Sequence, residues 1–351
     1  MTRKPPATRV VAWQRRHGRH DLPWQHTRDA YRIWLSEVML QQTQVATVIP
    51  YYQRFLERFP DVHALARAPL DDVLALWSGL GYYSRARNLH KAAKRVVERH
   101  AGTFPRDTLS VEELPGVGRS TAAAICVAAY GGRHAILDGN VKRVLARYRG
   151  VHGYPGDTAV QQRLWREAEA MLPAKGRDIE AYTQGLMDLG NLVCTRRDPR
   201  CASCPLAKDC VALARGLTDT LPERKPRAAT PTRATVMVVL RAGSRVLLEK
   251  RPERGVWGGL WSLPEVGSRK DVAALAAKHQ AAPAAHKRMP VLVHAFTHFR
   301  LRITPVVVDV MLNTRAKAGQ GGSGNARWFA ARKAFAAALP TPVRTILSNC
   351  F

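Results

Sequence analysis

Residues 112–131 read EELPGVGRSTAAAICVAAYG. The stretch decides the fold: it holds a helix end, a tight turn at Pro115-Gly116-Val117-Gly118, and an apolar second helix. Two glycines let the backbone come close to a bulky group and point successive N–H groups outward. The second helix adds the positive end of its dipole, so the turn can hold a phosphate without a side chain. Gly116, Val117 and Gly118 are the expected contacts. Alone the turn decides little, because many helix–helix connections contain glycine.

About twenty residues on, HAILDGNVKRVLAR (134–147) puts Asp138 immediately before another helix. An N-cap explains an aspartate there by itself. The combination of a helix–hairpin–helix with an aspartate at the mouth of the next helix favours a functional reading. The cap hydrogen bonds and the dipole would also hold this carboxyl in its charged form. A second carboxylate stands out upstream, in IWLSEVMLQQTQVATVIPYY (33–52), where Glu37 is the one charge in a mostly apolar run. On a helical period Ile33, Glu37, Leu40, Gln41, Gln44 and Val48 share one face. Desolvation on that face would raise the Glu37 pKa and suit it to donate a proton.

Four of the six cysteines crowd into CTRRDPRCASCPLAKDC, with the spacing C-x6-C-x2-C-x5-C over Cys194, Cys201, Cys204 and Cys210. Four thiolates can hold tetrahedral zinc or an iron–sulfur cluster. Zinc ribbons usually use two close pairs set far apart; a single close pair within 17 residues favours a 4Fe–4S cluster. Arg196, Arg197, Arg200 and Lys208 make the same loop basic.

Around these motifs the organisation is bipartite. Residues 30–215 repeat apolar positions at three and four, with Gly or Pro stops, and read as helix after helix. LTDTLPERKPRAATPTR breaks that pattern and reads as an exposed linker. Beyond it, ATVMVVLRAGSRVLLEKR and PVLVHAFTHFRLRITPVVVDVML each give two strands, with the helix RKDVAALAAKHQA between the pairs. The expected fold is a mainly α N-terminal region, 1–221, then a linker, 222–232, and a smaller α+β domain, 233–351. The helix–hairpin–helix covers about 112–130 and the cysteine loop 194–210.

The 351 residues carry 55 Lys+Arg against 27 Asp+Glu, a net charge of +28. Before Pro222, 33 bases face 21 acids; from there on, 22 face only 6, so both parts are basic. Polyanion binding is the leading expectation, with an arginine-favouring genome as the bland alternative. A composition 46% apolar and 23% charged is that of a folded chain, and no apolar run reaches the ~18 residues of a membrane span. The start of the chain lacks an apolar signal core, so a cytoplasmic, nucleoid-associated address and reduced cysteines are expected.

LPGVGRSTA with ILDGNVKRVLAR resembles the helix–hairpin–helix Gly/Pro–Asp superfamily of DNA glycosylases. WLSEVMLQQTQVATVIPYY, LWSGLGYYSRARNLHKAA and MDLGNLVCTRRDPRC narrow the resemblance to adenine DNA glycosylases of the MutY type. It runs from about Trp13 into the C-terminal domain, and makes that domain Nudix-like. The resemblance implies hydrolysis of the N-glycosidic bond of adenine opposite 8-oxoguanine or G in double-stranded DNA, by a monomer carrying a 4Fe–4S cluster. Glu37 would protonate adenine N7 and position water, while Asp138, with Asn140 beside it, would face the developing cation. Bifunctional relatives place a Schiff-base lysine where Ser120 stands here, so strand scission should be weak or absent. Lys142 is expected at a phosphate.

By the same resemblance Trp24, Leu40 and Gln184 line the adenine pocket. Gln42, Thr43, Leu80 and Tyr82 fill the gap in the stack, and Phe296, Thr297 and His298 touch 8-oxoguanine. A Nudix hydrolase needs a helix of glutamates for magnesium, whereas SRKDVAALAAKHQ offers only Asp271. The rivals are an endonuclease III-type glycosylase/lyase, opposed by Ser120, a damage-binding module without activity, opposed by the Glu37 and Asp138 pair, and an 8-oxo-nucleotide hydrolase, opposed by those missing glutamates. The linker is where a replication or repair protein would be expected to dock, although no motif there is convincing.

Overall fold

A computed structural model describes residues 4–174, 176–225, 229–279, 281–312 and 325–351. The chain divides into two compact units, Met1–Arg67 with Asn88–Arg227, and Ala68–Arg87 with Ala228–Phe351. Linker residues 226–228 lie outside the described set. Among the described residues no helix is long and apolar enough to cross a membrane.

The first unit is helical: α1 (Pro6–His17), α2 (Ala30–Leu40), α3 (Val45–Arg58) and α4 (Val62–Arg67) precede the segment that groups with the second unit and holds α5 (Leu70–Leu76). Then follow α6 (Ser84–His100), α7 (Thr108–Glu112), α8 (Arg119–Tyr130), α9 (Gly139–Arg149), α10 (Thr158–Ala170), α11 (Ile179–Leu192) and α12 (Val211–Ala214). A core of Val10, Val127, Val141, Leu145, Leu164, Tyr182 and Leu189 joins α1 to α8, α9, α10 and α11. Gly185 sets how closely α1 meets α11: a Cβ there would come within 2.9 Å of Val10 Cγ1 and 3.0 Å of Gln14 Cβ. The N-terminal α1 lies outside the helical run read from the sequence, because its arginines mask a buried stripe of Ala7, Val10, Val11 and Gln14.

The helix-face expectation for residues 33–48 is corrected. α2 stops at Leu40, Gln42 adopts φ 58°, and α3 starts only at Val45. Gln41 and Gln44 therefore do not extend the Glu37 face. No Gly or Pro marks the break, and glutamine is a good helix former. The reason is tertiary: α2 packs on α8, and the Gln41 Nε2 donates to the Gly116 carbonyl of the hairpin at 3.3 Å.

The second unit is a mixed sheet of order β3-β2-β1-β7-β5, with β4 on β1, β6 on β7 and β8 on β2. The strands are β1 (Thr232–Ala242), β2 (Arg245–Lys250), β3 (Trp261–Ser262), β4 (Glu265–Val266), β5 (Ala281–Arg288), β6 (Leu292–Ala295), β7 (Arg300–Leu312) and β8 (Ala326–Ala330). β1 and β7 run parallel from Thr232↔Arg300 to Arg241↔Asp309, and the last pair is sealed by a bidentate ion pair at 2.7 and 3.1 Å. Val238, Leu240, Leu247, Val306 and Val308 form the core, closed by Ala276 of α13 (Val272–Lys278). The chain ends in α14 (Ala331–Ala336) and α15 (Thr341–Ser348). β5 escaped the sequence reading because AAPAAHKR lacks the branched residues of a strand, and its pairing shifts register between Pro283 and Ala285.

Residues 68–87 are bound into this second unit. Ser78 Oγ donates to the Leu339 carbonyl at 2.8 Å, Arg87 to the Gly258 carbonyl at 2.5 Å, and Asp71 accepts from Lys250 and from Trp261 Nε1.

Candidate active site

The hairpin takes the expected form. Gly116 adopts φ 81°, which glycine reaches at low cost, and a Cβ there would press to 2.8 Å on Asn88. Gly118 caps α8, and α8 ends at Gly131 in the left-handed region. Val117 needs correction as a phosphate contact. Its side chain is buried and its N–H already donates to the Leu114 carbonyl at 3.0 Å, because the turn itself consumes that group.

α2, α8 and the start of α9 enclose the carboxylates. Asp138 caps α9, accepting from the Val141 N–H at 2.7 Å. Ser120, the second residue of α8, accepts the Leu137 N–H at 2.9 Å and so fixes the irregular segment that delivers Asp138. Asn140 accepts from Arg143 at 2.8 Å, and Arg143 also reaches the carbonyls of Gly190 and Cys194 at 2.6 and 2.8 Å. Ser120, Asp138, Asn140, Gln42 and Thr43 line one cavity of about 940 Å³ together with Glu37 and Leu40. A second cavity, of about 510 Å³, is lined by Trp24, Leu40, Gln184 and again Glu37. Glu37 therefore belongs to both cavity walls. Trp24 is buried, with its ring edge-on to Tyr52 at 5.5 Å.

The electrostatics separate the two carboxyls. Burial pushes the Glu37 carboxyl up to about 7, and the Asp138 charge pushes in the same direction. Burial also raises Asp138, so its cap does not by itself hold the charge, contrary to the expectation from the dipole alone. Hydrogen bonds from Val141 and Asn140, and the cations Arg143 and Lys142, oppose that rise. Both effects on Glu37 act upward, whereas the burial of Asp138 meets four counterweights. Lys142 itself turns elsewhere: its Nζ lies 3.5 Å from the Pro155 carbonyl, in a basic cavity with Arg196, Arg197, Arg224 and Lys225.

The four cysteines are free, partly exposed thiols in the loop after α11, and Cys194, Cys204 and Cys210 pack against the helical core. Arg147 of α9, which is buried, holds this loop. It donates to Cys194 Sγ at 3.4 Å, to the Thr195 carbonyl at 2.6 Å and to the Leu221 carbonyl at 2.8 Å. Burial raises Cys201, Cys204 and Cys210, the last two against backbone N–H groups. Cys204 is raised further by Cys194, Cys210 and Cys201, so the four share one electrostatic neighbourhood. Among the described residues no three His, Cys, Asp or Glu side chains are grouped to hold a metal ion. A cluster spreads its thiolate ligands over its own bulk, whereas a single zinc draws them together. The donor set is all sulfur, which suits soft metal centres of either kind.

In the second unit, Tyr82 adopts φ 48° and its hydroxyl meets Thr297 Oγ1 at 3.2 Å. Phe296 stacks on Phe299 at 4.6 Å across the turn joining β6 to β7, and contacts Trp257 and His294. Tyr82, Phe296, Thr297, Trp257 and His294 line a cavity of about 440 Å³. His298 is exposed and outside that lining. Leu80 is corrected: at 6% exposure it is a packed residue beneath the turn, and Tyr82, at 45%, is the side chain on offer. Gln42 and Thr43 belong to the first unit. Just ahead of α13, Asp271 accepts from the Ser268 N–H and hydroxyl at 2.9 and 3.1 Å, so its carboxylate closes the turn before the helix.

Sequence reasoning missed Arg143 and Arg147, which in a helix pattern read as solvated charge, and Asp188, hidden within MDLGN. It also missed the Trp257 and His294 aromatic wall.

Residues 35–170 match the family described as HhH-GPD superfamily base excision DNA repair protein, and residues 235–349 match the NUDIX domain. The adenine DNA glycosylase of Buchnera aphidicola subsp. Schizaphis graminum is 35% identical over 339 residues, covering 96% of each chain. The human adenine DNA glycosylase is 34% identical, covering 96% of this chain and 72% of its own. Among solved structures, a thermostable thymine-DNA glycosylase superposes with a TM-score of 0.54 at 31% identity, over 60% of this chain and 95% of that one. With the desolvated Glu37, the Asp138 N-cap of α9 and the hairpin in place, and with a relative matched over 96% of both chains, the chain belongs to the MutY-type adenine DNA glycosylase family.

Proposed function

We propose that this DNA glycosylase hydrolyses the N-glycosidic bond of adenine opposite 8-oxoguanine, or opposite G, in duplex DNA, with little strand cleavage of its own. The observation that carries the proposal is Glu37, raised to about 7 on a wall common to the Trp24 cavity and the Asp138 cavity. Adenine leaves poorly until a ring nitrogen is protonated. The Glu37 O–H donates that proton to N7, the bond from N9 to the sugar breaks, and the sugar becomes oxocarbenium-like. The Asp138 carboxylate faces the cation, Asn140 holds the mouth of α9, and the resulting Glu37 carboxylate takes a proton from the attacking water.

The hydroxyl of Ser120 supplies no amine for an imine, and Lys142 points into a different cavity, which supports hydrolysis without a lyase step. Gln42 and Thr43, and separately the Tyr82–Thr297 pair with Phe296, are proposed to meet the gap and the opposite base. Cys194, Cys201, Cys204 and Cys210 are proposed to hold a 4Fe–4S cluster, which when bound supplies four iron–thiolate bonds that pin the basic loop and a redox-active centre.

Single-turnover incubation with duplexes carrying A opposite 8-oxoguanine, A opposite G, or thymine glycol tests this reading. Alkali-labile sites at adenine, fastest opposite 8-oxoguanine, are expected, with little cleavage before alkali. A thymine glycol product with spontaneous strand scission would support the glycosylase/lyase rival instead.

A further inference from the structure

Asp188 is a fully buried carboxylate one turn beyond Gln184 on α11. It accepts from the Arg19 N–H at 2.9 Å, from Arg19 Nε at 2.7 Å and from Gln184 Nε2 at 2.9 Å, and its ion pair with Arg19 closes at 2.6 Å. Gln184 and Arg19 both line the Trp24 cavity. An amide has one donor end and one acceptor end, and either can usually face a ligand. A carboxylate locked to a guanidinium only accepts. Gln184 must therefore turn its nitrogen to Asp188, and its Oε1 becomes the end directed away from that pair.

We propose that Asp188, anchored by Arg19, is a positioning residue that fixes the polarity of the Gln184 amide and thereby reads the group at purine C6. This rests on the adenine-pocket reading above. Adenine offers an N6 amino donor beside the N7 acceptor; a purine with oxygen at C6 offers two acceptors there. The fixed Oε1 accepts from the amino group while the Glu37 O–H donates to N7, so one wall accepts and the other donates. Against a C6 oxygen, Oε1 meets a second acceptor and a buried polar pair goes unmade, which is a strong basis for rejection. Gln184 alone would not discriminate, because a freely turning amide could present its NH2 to that oxygen.

The test measures single-turnover release of adenine and of hypoxanthine, each opposite G in the same duplex, and compares the ratio between proteins. Hypoxanthine keeps N7 and replaces the amino group by oxygen. For Asp188→Asn the adenine:hypoxanthine ratio is expected to fall about tenfold or more relative to the unmodified protein. Gln184→Met, which leaves the Arg19–Asp188 pair intact, should lower the ratio likewise. If Asp188→Asn fails to fold because Arg19 is left unpaired, Arg19→Met with Asp188→Asn removes both charges and carries the same ratio test. An unchanged ratio in the folded Asp188 variant, with a lowered ratio in Gln184→Met, overturns the proposal; a lowered ratio in both supports it. An unchanged ratio in both variants also overturns it, by removing Gln184 as the reader. No release of adenine by the unmodified protein would instead sink the proposed function, so the two failures are distinct.

Discussion

Ser120 Oγ accepts the Leu137 N–H at 2.9 Å, and that single bond ties the helix after the hairpin to the segment ending in Asp138. Ser120 thus has a positioning task of its own. Ser120→Ala leaves a partly buried N–H without this acceptor, at a cost of about 1–2 kcal/mol. Denaturant unfolding should show that loss, with a several-fold slower excision rate as Asp138 loosens. Unchanged stability and rate would mean the bond is incidental.

The titration of Glu37 gives two pH dependences with one origin. Its proton is held in the folded chain up to about 7, whereas an ordinary glutamate loses it near 4.5. Single-turnover excision should therefore decline as pH rises through about 7, by up to ~tenfold per unit once the acid form is scarce. The folded state binds the extra proton between those two values, so this group's contribution to stability is complete below about 4.5. It is lost as pH rises through about 7, and is constant above that. Glu37→Gln should flatten that part of the stability profile; an unflattened profile would place the titrating group elsewhere.

Arg147 is the buried clasp of the thiol loop, with bonds to Cys194, Thr195 and Leu221. Arg147→Met keeps much of the side-chain bulk but strands those carbonyls. A loss of about 3 kcal/mol is expected by denaturant unfolding, with faster proteolysis within the loop. A loss below about 1 kcal/mol would show that the loop is held by other contacts.

The legible parts of this protein were those with local causes. The GxG turn needs glycine at Gly116, the cap needs a short acceptor at Asp138, and four close cysteines announce themselves whatever the fold. The Glu37 environment was readable because a lone carboxylate in an apolar run has few alternatives. What could not be read depends on partners distant in sequence. The stop at Leu40 coincides with the packing of α2 on α8 and with the Gln41 bond to the Gly116 carbonyl, 75 positions away. Residues 68–87 bond to strands and turns more than 150 positions away, such as Lys250 on Asp71. Arg147 and Asp188 have the composition of surface charge and the burial of core, and only their partners reveal which.

The central claim is that Glu37 supplies the proton that lets adenine leave. Its most direct test is release of free adenine from a duplex carrying A opposite 8-oxoguanine, under single turnover, for the unmodified protein and Glu37→Gln, with DNA binding measured alongside. The account predicts that Glu37→Gln binds the duplex with little change while adenine release falls by about 10²–10⁴-fold or more. Adenine release by Glu37→Gln at near the unmodified rate, with binding intact, would contradict it.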